Sequence, residues 1–163
     1  MSAVATPLVF AAALLAGCVF GFFYSWSFTV IRGLTLADGA SAIAVMQSVN
    51  ANIMTGWFAI LFFGTPLATA LAALAAWLGD GRAAAGWLIA ATVIYLAGCF
   101  AVTVVFNVPM NETLARLDVG ALPDASAAWT DYARPWNAWN HVRTAACGLS
   151  FICALVALWR WPG

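Results

Sequence analysis

The sequence predicts an all-α fold: a polytopic membrane four-helix bundle with one extra interfacial helix or extension before the second span. Three observations carry this. Hydrophobic residues make up 65% of the 163 residues and charged ones 7%, against roughly 45–50% and 25% in soluble domains. Four stretches reach or approach the ~20 apolar residues that cross the hydrocarbon as a helix. The connections between them are rich in turn-forming residues.

The first span runs from Pro7 to Ile31. Its LAGC segment (Leu15 to Cys18) resembles a lipoprotein cleavage box. No basic residue precedes it, however, and the apolar run continues through VFGFFY, so a spanning helix is expected rather than a signal peptide. Asp38 reads as the N-cap of a helix in which Ile43, Met46, Val49 and Ile53 recur at helical spacing. Joined to the second span (Ile53 to Leu78) that helix is too long for a bilayer, so it is expected to lie at the interface or to protrude. Pro66 lacks a backbone donor, which should kink the second span and free a carbonyl near Phe62. A tight turn, Gly79-Asp80-Gly81-Arg82, leads into the third span, Ala83 to Phe106. Pro109 is expected to break the helix between Asn107 and Asn111. The hydrophilic connection, Asn111 to Pro135, holds four of the six acids and two of the six arginines, and the fourth span is Trp136 to Trp161. The chain thus reads as a single transmembrane domain over residues 1–163, with both termini on one face.

Net charge is zero and there is no basic cluster, which excludes a nucleic-acid binder. The four cysteines lie in apolar stretches without a CxxC motif, so they are expected to be buried, inert thiols. The expected location is the bacterial cytoplasmic membrane. The expected partners are the bilayer and a hydrophobic aromatic small molecule, and homo-oligomerisation is left open.

Function should lie where polar groups gather, because polar groups in a membrane are costly unless paired. Asn107, Asn111, Asn137, Asn140, the only histidine (His141) and Arg143 collect in two short segments, FNVPMNETL and WNAWNHVR. On a helical wheel Asn137, Asn140, His141 and Thr144 share an arc of span four, with Arg143 at its edge. Gly21, Ser25, Thr29 and Arg32 form a comparable stripe on span one. Arg32, Asn107, Asn140 and His141 are therefore expected to converge on one cavity near the loop-bearing face. Trp129, Trp159 and Trp161 read as interfacial belt residues, while Trp136 and Trp139 fit either the belt or a stack on a flat substrate. One histidine beside scattered acids is a poor metal site, so no metal is expected.

At four segments the chain resembles the anthrone oxygenase-like family of small four-helix integral membrane proteins, a domain of unknown function in most bacterial members. They are FFYSWSF (Phe22 to Phe28), VMQSVNANI (Val45 to Ile53), FNVPMNETL (Phe106 to Leu114) and WNAWNHVR (Trp136 to Arg143). The last two are specific in order and separation. The chain departs from the pattern at Ala51, where members often carry Arg, and at Arg32, where Pro is common. The resemblance implies an oxygenase that converts an anthrone-type phenolic substrate with O₂ by base-initiated carbanion chemistry, with no cofactor expected. His141 is then the neutral-pH base, and Asn140, Asn107 and Arg143 stabilise the oxyanion. Trp136 and Tyr24 stack on the rings, and Asn137, Asn111, Arg32 and Asn50 complete the substrate contacts. The alternative is a non-catalytic module binding haem, with His141 as axial ligand, a quinone or another lipid-soluble ligand, or a subunit of a membrane complex.

Overall fold

A computed structural model describes residues 5–161, which are helical nearly throughout and contain no strand. Span one consists of α1 (Ala5–Ser25), a wide π turn (Trp26–Val30) and α2 (Ile31–Leu36). Helix α3 (Gly39–Asn52) follows, then span two, α4 (Trp57–Leu78). Span three joins α5 (Arg82–Tyr95), two π turns (Leu96–Ala101 and Thr103–Asn107) and α6 (Val108–Ala115). Span four is α7 (Ala125–Trp159). All four spans are long and apolar enough to cross a membrane. The two ends of the described chain meet on one face, where Trp161 Nε1 donates to Thr6 Oγ1 at 3.1 Å.

Small residues let the spans approach. Ala72, Ala73 and Ala76 of α4, Ala84 and Ala85 of α5 and Ala157 of α7 pack with Val9, Ala12 and Leu88 into one core layer. The inward face of α7 follows a coiled-coil rhythm. Trp129, Ala133, Trp136, Asn140, Arg143, Cys147, Ser150, Ala154 and Ala157 are all buried, in alternating steps of four and three. Span one keeps the same rhythm through Val9, Ala12, Ala16, Val19 and Phe23, which would next reach Trp26 and Val30. Its π turn carries an extra residue, so the buried positions become Ser27 and Ile31.

Pro66 removes the donor that the Phe62 carbonyl would have received. The helix nonetheless continues, because Tyr95 Oη donates to that oxygen across the bundle at 2.8 Å. Asp38 caps α3 as expected, accepting from Ser41 N at 2.9 Å, and its hydrogen bonds from Ser41 hold the carboxyl below its ordinary range.

Five sequence-based expectations are corrected. Asn111 to Pro135 is not a loop, since α6 runs to Ala115 and α7 starts at Ala125. Pro109 does not break span three, because it sits in the first turn of α6, where a missing donor is tolerated. The inward arcs read from polar residues on spans one and four are rotated: Ser25, Thr29, Arg32 and His141 are exposed, while Ser27 and Arg143 are buried. Trp129 is no belt residue. It is 3% exposed, with its Nε1 donating to Thr35 Oγ1 at 3.2 Å. Of the cysteines, Cys18 is exposed on the outer face and the other three are buried.

At 35 residues α7 is about 50 Å long, well beyond the ~30 Å hydrocarbon core. Its first turns project with α6 and carry α3. The second core forms there, from Ile31, Ala42, Ile43, Met46, Leu114, Trp129, Tyr132, Ala133 and Trp136. Gln47 of α3 fastens it, donating to the terminal carbonyls of Leu114 and Leu117 at 2.9 and 3.0 Å. Gly39 makes this docking possible, since a Cβ there would lie 2.5 Å from the Ala125 carbonyl carbon. Gly39→Ala is therefore expected to cost about 1–3 kcal/mol by overpacking against backbone, read as a lower midpoint of thermal unfolding in detergent.

Candidate functional site

The projecting helices roof a cavity of about 420 Å³ within the bundle, inside the ~300–1,000 Å³ range of small-molecule sites. Its walls are aromatic. Phe22, Phe23 and Trp26 of span one, Phe58 and Phe62 of α4, Phe100 of span three and Trp136 of α7 all line it. Phe62 stacks on Phe58 and on Phe100, with interplanar angles of 21° and 23°, so three roughly parallel rings form one side. The backbones of spans two and three pack along α4 and α5 and part beyond them. There Phe63 and Val104, both half-exposed, line the mouth.

Among the described residues, Arg143 is the buried charged group. It is 4% exposed and lines the cavity, with its guanidinium 4.7 Å from the Phe23 ring centroid and 5.0 Å from that of Trp136. Its hydrogen-bond partners among the described residues are neutral: Asn140 Oδ1 at 2.7 Å and Thr103 Oγ1 at 3.3 Å. Its Nε has no partner. A buried ion normally costs several kcal/mol and is offset by a counter-charge. Here cation–π contacts, each ~0.5–2 kcal/mol, and two hydrogen bonds stand in place of a carboxylate.

The donors and acceptors behind Arg143 are fully directed. Thr103 Oγ1 donates to Cys99 O at 2.8 Å, so toward Arg143 it can only accept. Asn140, wholly buried, accepts from Arg143 through Oδ1 and gives Nδ2 to Ser27 Oγ at 2.8 Å and Phe23 O at 3.2 Å. Thr144 donates to Asn140 O, so in the 2.8 Å pair with Ser27 it is Ser27 that donates. Both side chains that reach Arg143's network from other spans, Ser27 and Thr103, stand in π turns. The wide turns aim them inward.

A second network lies at the roof. Asn111 Oδ1 accepts from Tyr132 Oη at 2.9 Å and from Trp136 Nε1 at 2.8 Å, and Asn50 Nδ2 reaches Tyr132 Oη at 3.5 Å. Asn50, Asn111 and Glu112 line the cavity there, and among the described residues Glu112 is its sole lining carboxylate.

The site residues expected from sequence fall into three groups. Trp136, Asn111, Asn50 and Arg143 line the cavity. Asn140 and Asn107 are buried behind its wall, where Asn107 Nδ2 bonds Trp136 O at 3.2 Å and ties span three to span four. The remaining four lie elsewhere. His141 and Asn137 line a shallow groove between spans one and four with Arg134 and Thr35, and Asn137 Nδ2 contacts His141 Nε2 at 3.3 Å. Tyr24 is half-exposed, packed on Phe20 and Phe28, and Arg32 is exposed and lines neither space. The four residues Arg32, Asn107, Asn140 and His141 thus do not share a cavity. Trp139 stacks on Phe106 at 3.6 Å, away from the site.

Sequence reasoning missed Phe23, Phe58, Phe62, Thr103 and Tyr132. The four–three rhythm of α7 puts Arg143 inside and His141 out, whereas Tyr132, buried beside it, lies off that series. Among the described residues no group of three or more His, Cys, Asp or Glu gathers as a metal site.

Comparison with known proteins adds the family. No curated protein and no solved structure matches this chain. The family model described as anthrone oxygenase matches residues 54–153, more than half of the chain, from the start of span two to within the last turns of span four. That region carries Phe58, Phe62, Phe100, Thr103, Asn111, Glu112, Trp136 and Arg143, while Phe22, Phe23 and Trp26 of span one lie before it, and the chain belongs to the anthrone oxygenase family.

Proposed function

We propose that this protein is an oxygenase of the bacterial cytoplasmic membrane that takes a planar phenolic substrate of the anthrone type into the aromatic cavity and oxidises its activated methylene with O₂. The observation that carries this reading is Arg143: a buried guanidinium, free of carboxylates, facing a cavity walled by aromatic rings. Such a site takes a flat apolar body with one anionic oxygen. Loss of a proton from a methylene flanked by two rings and conjugated to a ketone places the charge on that oxygen, as a phenolate. Arg143 stabilises the phenolate, which lowers the barrier to forming the carbanion. The carbanion is electron-rich enough to react with O₂ directly. The methylene loses two hydrogens, one oxygen atom becomes the new ketone and the other leaves as water.

Because Asn140 and Thr103 can only accept from Arg143, its position is fixed before substrate arrives, which is the condition for electrostatic stabilisation without reorganisation. Glu112 at the roof is the base in this scheme, since His141 is turned to the groove between spans one and four.

Arg143→Met should lower anthrone-dependent O₂ uptake by ~10²–10³-fold, the usual effect of removing an oxyanion donor. Its thermal midpoint in detergent should fall far less than its activity, because the loss of the Asn140 hydrogen bond is partly offset by removal of a buried charge that has no ion pair to break. Comparable losses of stability and activity would make Arg143 a structural residue.

Glu112→Gln should reduce uptake by about 10²-fold, the contribution of a positioned general base, and His141→Ala should leave it within a few-fold. The reverse pattern would return the base to His141. The purified protein should show no Soret band. A band lost in His141→Ala would mark a haem protein instead.

A further inference from the structure

We infer that the cavity has a second recognition point, a neutral hydrogen-bond donor supplied by Asn111, and that its ligand carries a second oxygen, an acceptor, at the end remote from Arg143. The inference rests on the reading of the cavity as a phenol site.

An asparagine amide offers an acceptor on one side and two donors on the other, and which side faces a ligand decides what is recognised. The Asn111 orientation is set by its neighbours. Tyr132 Oη and Trp136 Nε1 both give their hydrogens to Oδ1, at 2.9 and 2.8 Å. Indole N–H can only donate, so the amide cannot turn over without leaving that bond unmade. Tyr132 is fixed in turn, because Asn50 Nδ2 is the donor in their 3.5 Å contact and the phenol is left to donate to Asn111. Asn111 lines the cavity, and with Oδ1 committed only Nδ2 remains for a ligand. Tyr132 is therefore a positioning residue, and among the described residues its hydroxyl proton has no other acceptor.

The two recognition points share one indole ring. Arg143 lies over the face of Trp136, 5.0 Å from its centroid, while Asn111 Oδ1 meets the Nε1 edge of the same ring at 2.8 Å. The guanidinium and the amide are therefore about one indole width apart, a span that a compact fused two-ring molecule matches. An ionised oxygen at one end meets the guanidinium, and a ketone or ether oxygen at the other accepts from Asn111.

Two naphthols test this by equilibrium dialysis against protein in lipid nanodiscs, with uptake by empty nanodiscs subtracted. One is 2-naphthol; the other is 6-acetyl-2-naphthol, which adds an acceptor-only oxygen at the far end. Wild-type protein should prefer the acetyl compound by about three- to tenfold, the worth of one hydrogen bond. Asn111→Leu should abolish that preference while retaining affinity for 2-naphthol. Asn111→Asp keeps an oxygen for Tyr132 and Trp136 but turns a carboxylate oxygen toward the ligand, and it should reverse the preference. Tyr132→Phe should weaken the preference without affecting 2-naphthol. Should Asn111→Leu lose its helical circular dichroism, the aspartate variant carries the comparison. An equal preference in wild type and Asn111→Asp would overturn the second recognition point while leaving the phenol site standing. Wild-type protein that binds neither naphthol above the empty discs would remove the phenol site and this inference with it.

Discussion

An uncompensated positive charge sits in the middle of a membrane bundle, and much of the surrounding structure is arranged to hold it. Arg143 cannot lie among Phe23, Trp136 and apolar helices unless its donors are met. Asn140 and Thr103 meet two of them. Asn140 in turn needs Ser27, and Ser27 needs Thr144. Three spans are thereby cross-linked through one guanidinium, by contacts that are each worth only ~1–3 kcal/mol. The π turns follow from the same requirement. In a regular helix the rhythm of span one would bury Trp26 in place of Ser27; an added residue turns the serine inward. A wider backbone turn is tolerated here because it delivers the polar group that the charge depends on.

This arrangement also explains which parts of the protein could be read from sequence. Span number, α3, the Asp38 cap and the freed Phe62 carbonyl rest on local rules of length, capping and proline chemistry, and the structure bears them out. Polarity does not mark the inward faces of spans one and four. In a helix that projects past the hydrocarbon, polar residues face outward as readily as inward, so His141 and Arg32 carried no directional information. Packing rhythm did carry it: the steps of four and three on α7 run through Arg143 and pass over His141. The π turns are a different matter. Nothing in Trp26–Val30 or Leu96–Ala101 announces an extra residue, which comes from tertiary demand rather than local preference.

The boundary between membrane and cap is hidden in the sequence for a related reason. Asn111 to Pro135 is hydrophilic, and hydrophilic segments between spans invite a loop assignment. It forms helix because α3 gives it something to pack on. Ile43 and Met46 supply the apolar surface, Gln47 closes the open end of span three, and Gly39 lets the backbones approach. Roof and cavity are consequently one construction. Tyr132 and Trp136 contribute to the core of the cap and at the same time set the Asn111 amide.

The sideways mouth between Phe63 and Val104 changes what concentration means for this protein. A ligand that arrives through the bilayer is present at its mole fraction among lipids, not at its molarity in water. Two compounds with identical contacts inside the cavity will differ in apparent affinity by the ratio of their partition coefficients, and diluting the membrane with inert lipid will weaken binding even when the total amount of ligand is unchanged. Selectivity is then shared between the site and the solvent it opens onto. For the proposed phenolic ligand, the bilayer would set the supply and the site would set the choice.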